Sequence, residues 1–404
     1  MSTGTHPLSI GARMMVRVAS GRFSSIRVVS QKQSLLSRTR DKGDFFVPTF
    51  MARKQVHLPQ IKGKSHIITE ETQMKRNIKR IITMLLVLAM VMLVSGCTKA
   101  ADDQDLPKIG ILQFAPHASL DNCYEGIVQG LAEAGFIDGE TCIIEYVNGQ
   151  GEGETNSLAA ANFVNGGFDI IIAIATPSAM PAYAAAKDAG IPVIFSAVSD
   201  PIGAGLVESL EVPNTGATGT SDGLNYQGQL EMIRAFQPEA KTIGILYTTS
   251  EANSLSQLKK YQELAPSYGF EIIAQGVTDA SEIASGAASL VALGVDCINN
   301  LTDNNVVNNF SIVTAATDAA GIPCYGSEEE QVAQYGCVAS QTLDYVALGK
   351  TTGLMAADVL KTGEINNVAV SVVTDSEPVY SSVNMAKFGL TLPSQYADAR
   401  ERNN

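Results

Sequence analysis

Residues 108–114 read KIGILQF, and residues 241–250 repeat that apolar strand as KTIGILYTTS. Two further pairs of segments recur in the same order. They are GFDIIIAIATP (167–177) with GVDCINNLTDN (294–304), and DAGIPVIFS (188–196) with AAGIPCYGS (319–327). The three pairs are offset by 134, 127 and 131 residues. Such near-constant spacing indicates an internal duplication and predicts two similar lobes.

From Lys108 onward, short apolar runs alternate with amphipathic stretches, which is typical of a parallel sheet wound with helices. We therefore predict an α/β fold of two similar doubly wound parallel-sheet lobes joined by a hinge. Residues 222–229 and 343–350 are predicted to cross between the lobes, and residues 368–374 with 378–393 to cross back and close the sheet or hinge. Ligands of open parallel sheets bind beyond the carboxyl ends of the strands, so the expected site is the cleft between the lobes.

The charge of the chain is divided unevenly at Cys97. Residues 1–96 carry 16 Lys or Arg and 4 Asp or Glu, which leaves 12 basic and 37 acidic residues for 97–404. A body this acidic repels phosphate, which argues against a nucleic-acid binder. His117 is the only histidine after Cys97, so histidine-based zinc sites and catalytic triads are disfavoured. We expect no catalytic residues, no metal and no cofactor.

Residues 74–97, MKRNIKRIITMLLVLAMVMLVSGC, have the features of a bacterial export signal. Basic residues precede an apolar run from Ile81 to Val94, which is too short for a comfortable transmembrane span. The end of the segment, VSGC (94–97), resembles a lipobox, the cleavage site of bacterial lipoproteins. The predicted role of Cys97 is therefore a lipid anchor, and an ordinary membrane-anchoring helix is the alternative.

A signal peptide should begin the protein, so Met74 is the expected start and the residues before it are interpreted as an upstream extension. That extension is Arg- and Ser-rich and lacks sustained hydrophobic periodicity, which predicts disorder. The predicted organisation is an upstream extension (1–73), a lipoprotein signal peptide (74–96), a lipid-anchor linker (97–106), lobe 1 (107–222), lobe 2 (223–345), a hinge-crossing and closing segment (346–395) and a tail (396–404).

Five cysteines follow Cys97, an odd number that predicts no complete disulfide framework. Cys297 and Cys324 lie in apolar runs that are interpreted as neighbouring strands, so we expect small buried hydrophobes, with a bridge between them as the alternative. The redox states of Cys123, Cys142 and Cys337 do not follow from the sequence.

Several motifs together resemble the type I periplasmic-binding-protein fold: the lipobox, the doubled IGIL strands, DIIIAIATP (169–177), SDPIGA (199–204) and YTTSEANS (247–254). More narrowly, residues 105–395 are similar to ABC-transporter substrate-binding lipoproteins associated with tryptophan and other aromatic amino acids. The resemblance implies capture of a small solute outside the membrane and its delivery to a permease that works with a cytoplasmic ATPase. It also implies ligand-contacting polar residues after the strand that ends near Tyr247.

Residues that directly follow the predicted strands are the candidates for ligand contact. An α-amino acid needs donors for its carboxylate, acceptors for its ammonium and an apolar place for its side chain. The predicted ligand-binding residues are Gln113, Phe114, Thr176, Ser178, Ser199, Asp200, Tyr247, Ser250, Asn253, Asp303 and Asn304. Pro177, Glu251 and Ser327 also occupy strand-end positions.

The ligand carboxylate is expected to meet hydroxyls and free N–H groups at helix N-termini. An arginine clamp is disfavoured, because Arg234, Arg400 and Arg402 are the only arginines of the body and none follows a strand. Residues 176–178 and 250–254 are suited to this role, and plain helix capping is the alternative for both.

Asp303 is predicted to pair with the ligand ammonium, with Asn304 beside it, and capping of the next helix is the alternative. Phe114 and Tyr247 end the matched first strands, so they are predicted to sandwich a flat side chain. Their alternative role is in the hinge or core.

Structural roles are favoured for three titratable residues near strand ends, although Asp200 is also among the predicted ligand contacts. Asp200 is interpreted mainly as a turn residue, Asp222 as a helix cap, and His117 as a helix-start or rim residue.

The predicted function is that of an extracytoplasmic solute-binding lipoprotein of an ABC importer, with an aromatic amino acid such as tryptophan as the expected solute. The expected partners are this solute, the permease with its ATPase, and the membrane through a lipid on Cys97. The protein is expected to be monomeric. The alternatives are a ligand-sensing receptor of the same fold, or a different solute such as a sugar or nucleoside. An enzyme is disfavoured by the shortage of histidine and the lack of a nucleophile elbow.

Overall fold

The computed structural model describes residues 79, 81–84 and 106–403. The chain divides into two compact units, residues 1–90 and 91–404, and the described residues of the first unit are helical. The predicted upstream extension, most of the signal peptide, and Cys97 with its linker up to residue 105 lie outside the described residues. In the part that is described, no helix combines the length and apolar character needed to cross a bilayer.

Strands and helices alternate along residues 106–403. The strands are β1 (Lys108–Gln113), β2 (Ile143–Asn148), β3 (Ile170–Ile174), β4 (Val193–Ser196), β5 (Ala217–Asp222), β6 (Thr242–Thr248), β7 (Glu271–Val277), β8 (Cys297–Asn299), β9 (Cys324–Gly326), β10 (Ala339–Thr342), β11 (Ser371–Val373), β12 (Glu377–Tyr380) and β13 (Arg400–Glu401). The helices are α1 (Ala118–Glu133), α2 (Gly153–Asn165), α3 (Thr176–Ala186), α4 (Tyr226–Phe236), α5 (Ala252–Leu264), α6 (Ile283–Ala292), α7 (Asn304–Asn308), α8 (Phe310–Ala320), α9 (Glu329–Ala333), α10 (Tyr345–Thr362) and α11 (Ser382–Lys387). Single 3-10 turns lie at Lys187–Ala189, Ala265–Tyr268, Ala280–Glu282 and Ser394–Tyr396.

The strands form two sheets. The order of the first is β11-β5-β4-β3-β1-β2, and all of its neighbouring strands are parallel. The order of the second is β13-β12-β10-β9-β8-β6-β7, in which only the β10–β12 pair is antiparallel. Lobe 1 is built on the first sheet and lobe 2 on the second. The predicted fold of two similar parallel-sheet α/β lobes is confirmed.

The chain passes between the sheets three times, at residues 223–225, 343–344 and 374–376. At the first two passages the chain enters the other lobe as a helix, which returns it to the amino edge of the sheet. At the third passage no helix intervenes, so β12 must run back from the carboxyl edge, and this explains its antiparallel pairing. The predicted closing segment, residues 346–395, is thereby divided: α10 and β11 belong to lobe 1, and the residues from β12 onward to lobe 2.

Each sheet has an apolar core on both faces. In lobe 1, Ile109, Ile111 and Ile172 belong to one core, and Leu112 and Phe195 to the other. The cysteines at positions 123, 142, 297, 324 and 337 are all buried and free of disulfides, which confirms that Cys297 and Cys324 are small buried side chains.

Helices α1 and α10 of lobe 1 pack with their backbones nearly touching. A Cβ atom added at Gly349 would lie 2.1 Å from the carbonyl oxygen of Cys123, and one added at Gly126 would lie 2.1 Å from that of Val346. Only glycine allows so close an approach. This packing fixes the first turn of α10, and therefore Tyr345, at the edge of the cleft between the lobes.

Candidate ligand-binding site

A small cavity lies between the carboxyl edges of the two sheets. Lobe 1 contributes His117, Leu120, Ala175, Thr176, Ala197, Ser199, Asp222 and Tyr345, and lobe 2 contributes Asn253, Thr302, Asn304 and Glu328.

The lobes touch around this cavity. Ser256 Oγ on α5 donates to Asp200 Oδ2 of lobe 1 at 2.6 Å, and Gln257 Nε2 donates to Ser199 Oγ at 3.0 Å. His117 Nε2 lies 3.1 Å from Asn304 Oδ1 across the cleft. The structure is therefore the closed form, with the cavity shielded from solvent.

Unpaired polar atoms are concentrated in this cavity. Five buried side-chain nitrogen or oxygen atoms of the described residues have no hydrogen-bond partner, and four of them belong to cavity residues: His117 Nδ1, Thr176 Oγ1, Asp222 Oδ1 and Asn253 Oδ1. The fifth, Nε of Arg402, faces Glu329. Buried polar groups are paired in most native structures, so four unpaired groups around one cavity indicate the place of a polar ligand.

Two carboxyl groups give the cavity its electrostatic character. Asp222 and Glu328 are both buried, at 2% and 3% exposure, and Tyr345 donates its hydroxyl to Asp222 Oδ2 at 3.3 Å. Burial raises the pKa of Asp222 to about 7, with a smaller contribution from Glu328. Burial also raises the pKa of Glu328 to about 7, and Glu330 adds to the increase. No lysine or arginine of the described residues lines the cavity to balance these carboxyl groups, so this part of the cavity favours a cationic group.

The start of α3, by contrast, favours an anionic group. Thr176 is the first residue of α3 and its hydroxyl is unpaired, so it can donate to an anion. Ala175, the residue before the helix, has φ = 76°, and Ala197, after β4, has φ = 54°. Left-handed backbone at two alanines of one cavity is strained, and such strain is concentrated at functional sites in proteins.

In lobe 2, Glu251 organises the cavity wall. Its Oε2 atom accepts from Asn304 Nδ2 at 2.7 Å and from the backbone N–H of Asn304 at 3.1 Å, and it lies 3.3 Å from Asn253 Nδ2. Asn253 Nδ2 also donates to the carbonyl of Thr302 at 2.8 Å, which leaves Asn253 Oδ1 directed into the cavity. Burial, followed by the nearby Asp303, raises the pKa of Glu251 above its ordinary value.

Comparison with known proteins identifies the family. Residues 108–399 match the sequence profile described as ABC transporter substrate binding protein. The chain belongs to this family. It is the substrate-binding component of an ABC transporter, and substrate-binding proteins of this family work outside the cytoplasm with a small-molecule ligand and a permease.

Relatives with named ligands are similar over the same region. A tyrosine-binding protein of Clostridioides difficile is 35% identical over 312 residues, which are 74% of this chain and 89% of the relative. A solved ABC domain from Streptococcus pneumoniae in complex with L-Trp is 34% identical, with a TM-score of 0.71 over 74% of this chain and 100% of the other.

A third relative was solved in another state. The ligand-free, open structure of a substrate-binding protein with adhesive properties from Clostridium difficile is 35% identical over 74% of this chain and 100% of the other, but its TM-score is only 0.57. Its sequence identity to this chain is nearly the same as that of the L-Trp complex, but its TM-score is lower. In the present substrate-binding protein, by contrast, hydrogen bonds across the cleft hold the lobes closed.

Four of the residues that the sequence predicted for this substrate-binding protein line the cavity: Thr176, Ser199, Asn253 and Asn304. Phe114 and Ser250 line a neighbouring groove at the cleft mouth, and Tyr247 packs at the core of lobe 2. The rings of Phe114 and Tyr247 are therefore not placed on opposite walls of the cavity.

The other four predicted residues are engaged in protein contacts. Gln113 Nε2 donates to the carbonyl of Ala115 at 2.8 Å and to Asp121 at 2.7 Å. Ser178 Oγ donates to Asn156 Oδ1 at 2.7 Å. Asp200 accepts from the backbone of Gly203 and from Ser256.

Asp303 is the fourth of these residues, and it is fully occupied by protein donors. It caps α7 through the backbone N–H of Val306 at 2.9 Å. It also accepts from the backbone and hydroxyl of Thr248 and from Ser254 Oγ. Asp303 therefore caps α7, which is the alternative role that the sequence offered for this residue.

Sequence reasoning assigned structural roles to two cavity residues, His117 and Asp222, and did not name Glu328 or Tyr345. Asp222 is the last residue of β5, and Glu328 lies two residues after β9. A search of the residues at the carboxyl end of every strand would therefore have included both. Tyr345 gave no such signal, because it reaches the cavity only through the packing of α10 on α1.

Proposed function

We propose that this protein captures an aromatic α-amino acid in the cavity between its lobes and delivers it to the permease of an importer. The protein binds and releases the solute without covalent chemistry. It acts as a monomer that a lipid on Cys97 holds at the outer face of the membrane, since VSGC (94–97) follows a basic and apolar leader.

The observation that carries this proposal is the set of unpaired buried atoms in one closed cavity. The ammonium group of an amino acid pairs with Asp222 and Glu328 and with the free Oδ1 atom of Asn253. Its carboxylate accepts from the Thr176 hydroxyl at the start of α3. Ligand and cavity thus complement each other in charge and in hydrogen bonding.

An aromatic side chain is favoured by the relatives and by the remaining wall of the cavity. The relatives described above are named for tyrosine or solved with L-Trp. Leu120, Ala175, Ala197 and the ring of Tyr345 provide the apolar surface. Because both lobes contact the ligand, its binding energy favours the closed state, which is the condition for ligand-driven hinge closure.

The test is a thermal-shift and calorimetric screen of residues 98–404 against the twenty amino acids, nucleosides, sugars and polyamines. The fragment lies within the second compact unit and contains both sheets. A ligand at 100 times its Kd adds about 2.7 kcal/mol to the free energy of unfolding. We expect shifts with aromatic amino acids and none with tyramine or N-acetyltyrosine, which lack the carboxylate or the ammonium. A shift confined to sugars or nucleosides contradicts the proposal.

The lipid anchor has its own test. Cells that express the full chain are labelled with radioactive palmitate, and the Cys97→Ala variant is the control. We expect label on the wild-type protein alone and release of the variant from the membrane fraction. Equal membrane retention without label on either protein contradicts the anchor.

A further inference from the structure

His117 has an unpaired ring nitrogen, Nδ1, at the cavity wall. The contacts proposed above for the ligand ammonium and carboxylate do not involve this atom. His117 lies directly before α1 and is 6% exposed. Its Nε2 atom contacts Asn304 Oδ1, and its Nδ1 atom is buried at the cavity wall with no partner among the described residues. A neutral imidazole carries its proton on one nitrogen only, so the partner of Nε2 decides what Nδ1 presents to a ligand.

Glu251 orients the amide group of Asn304. Its Oε2 atom accepts from both the backbone N–H and the Nδ2 amide of Asn304, and its Oε1 atom accepts from the backbone N–H of Asn305 at 3.0 Å. With Nδ2 turned toward Glu251, the carbonyl oxygen of the Asn304 amide faces His117. A carbonyl oxygen can only accept, so His117 Nε2 is the donor and carries the proton.

Burial keeps the ring neutral. The pKa of His117 lies below its ordinary value because desolvation disfavours the imidazolium, and this outweighs the opposing effects of Asn304, Asp121 and Glu330. Nδ1 is therefore an unprotonated acceptor. A buried acceptor that receives no donor in the complex weakens binding, so a ligand with an N–H or O–H at this point has the advantage.

The position of His117 indicates which part of the ligand it meets. Leu120 lies one helical turn further along α1 and also lines the cavity, so the two side chains share one wall. The carboxylates of Asp222 and Glu328, which attract the ammonium, come from other elements, β5 and the segment after β9. His117 and Leu120 therefore line the cavity next to each other, and we assign this wall to the ligand side chain.

We propose that His117, held in the Nε2–H tautomer by Asn304 and Glu251, selects aromatic amino acids whose ring carries a hydrogen-bond donor. The phenol of tyrosine and the indole of tryptophan satisfy this requirement, and phenylalanine does not. The selection rests on the proposed function, because it operates within the same cavity.

Calorimetry of residues 98–404 with the three amino acids tests the selection. We expect tyrosine or tryptophan to bind at least about tenfold more tightly than phenylalanine, which corresponds to one lost hydrogen bond. His117→Leu should reduce this ratio to near one, and it should also weaken all three ligands because the contact with Asn304 across the cleft is lost. Ser119→Ala is the matched control: it removes a contact with Glu330 across the cleft, so it should weaken all three ligands by the same factor.

The possible failures are distinct. Equal affinity for the three ligands in the wild-type protein overturns the selection and leaves the proposed function intact. Binding of none of them overturns the proposed function, and the selection with it.

The tautomer can be measured without any substitution. His117 is the only histidine of residues 98–404, so a fragment labelled with ¹⁵N-histidine gives the signals of a single imidazole. We expect an unprotonated Nδ1 resonance that moves upfield when tyrosine is added and stays in place with phenylalanine. A protonated Nδ1 overturns the proposal, since that atom would then be a donor suited to a carboxylate.

Discussion

The side-chain amide of Asn122 on α1 donates to Glu330 Oε1 at 2.8 Å across the cleft, and Ser119 Oγ reaches the other carboxylate oxygen at 3.2 Å. Glu330 lies on α9, two residues after the cavity residue Glu328. One short segment of lobe 2 therefore holds the lobes together and also lines the cavity, so we expect closure and ligand binding to be coupled through it.

Glu330→Gln is expected to weaken ligand binding about tenfold. The substitution replaces charged hydrogen bonds that exist only in the closed state, and an unfavourable shift of about 1.4 kcal/mol in the closing equilibrium corresponds to tenfold in affinity. Calorimetry gives the affinity, and small-angle scattering of the liganded protein gives the degree of closure. Lys260→Ala is the control, because its ion pair with Glu263 is exposed and joins two residues of the same helix, α5. Unchanged affinity in Glu330→Gln would show that these bonds do not contribute to closure.

Asp222→Asn is expected to abolish amino-acid binding with little loss of stability. A raised pKa of about 7 means that the empty protein already tolerates a neutral group at this position. The complex, by contrast, loses a buried partner of the ammonium, which costs about 3–5 kcal/mol, or a factor of several hundred or more in Kd. Calorimetry and thermal melting of the same sample separate the two effects.

Asp303→Ala serves as the comparison for Asp222→Asn. It removes the cap of α7 and leaves the donors of Thr248 and Ser254 unpaired, so it should lower the melting temperature markedly. A stable Asp303→Ala protein that fails to bind, together with normal binding by Asp222→Asn, would restore Asp303 as the partner of the ammonium.

Ligand affinity is expected to rise with pH and to level off above about pH 7. Burial raises the pKa of both Asp222 and Glu328 to about 7, and an ammonium ligand requires ionised partners. Below that pH each proton released on binding changes Kd by about tenfold per pH unit. Calorimetry between pH 5 and pH 8 in buffers of different ionisation enthalpy measures both the slope and the proton release.

The stability of the ligand-free closed protein should fall with rising pH, whereas ligand affinity rises. A carboxyl whose pKa is higher in the folded state than in the unfolded chain, where it is about 4, gives the folded state extra bound protons between these values. The contribution of Asp222 and Glu328 to stability is therefore present at low pH and is lost as the pH rises through about 7. Urea unfolding of Asp222→Asn across this range should show a weaker loss than the wild type.

Gly349→Ala is expected to destabilise lobe 1 by about 3 kcal/mol, because the new Cβ would lie 2.1 Å from the carbonyl oxygen of Cys123 and the helices α1 and α10 must separate. Gly153→Ala at the start of α2 is the matched control, since nothing lies within 4 Å of the added atom. Urea unfolding measures both. Similar stability of the two variants would contradict the close packing of α1 on α10.

The doubled strands at residues 108–114 and 241–250 predicted the two sheets and the strands of each lobe, because apolar periodicity and strand spacing are local properties of a chain. Thr176, Ser199, Asn253 and Asn304 were predicted at the cleft because they follow predicted strands, and the cavity is lined by all four. The sequence did not predict whether a given polar residue caps a helix or contacts the ligand. Asp222 ends β5 and Asp303 follows β8 by four residues, and only their three-dimensional neighbours distinguish an occupied carboxylate from an unpaired one.

The sequence by itself determined the fold class, the duplication and the family resemblance, since these depend on patterns that neighbouring residues carry. Only the tertiary structure decided which polar atoms remain unpaired, because His117 and Asn304 are 187 residues apart and meet only when the lobes close. The orientation of that imidazole depends on Glu251, and the position of Tyr345 depends on glycines in two helices far apart in the chain. The site forms only when the lobes close, because its residues come from segments that are distant in the sequence. No local sequence pattern predicts that these residues meet.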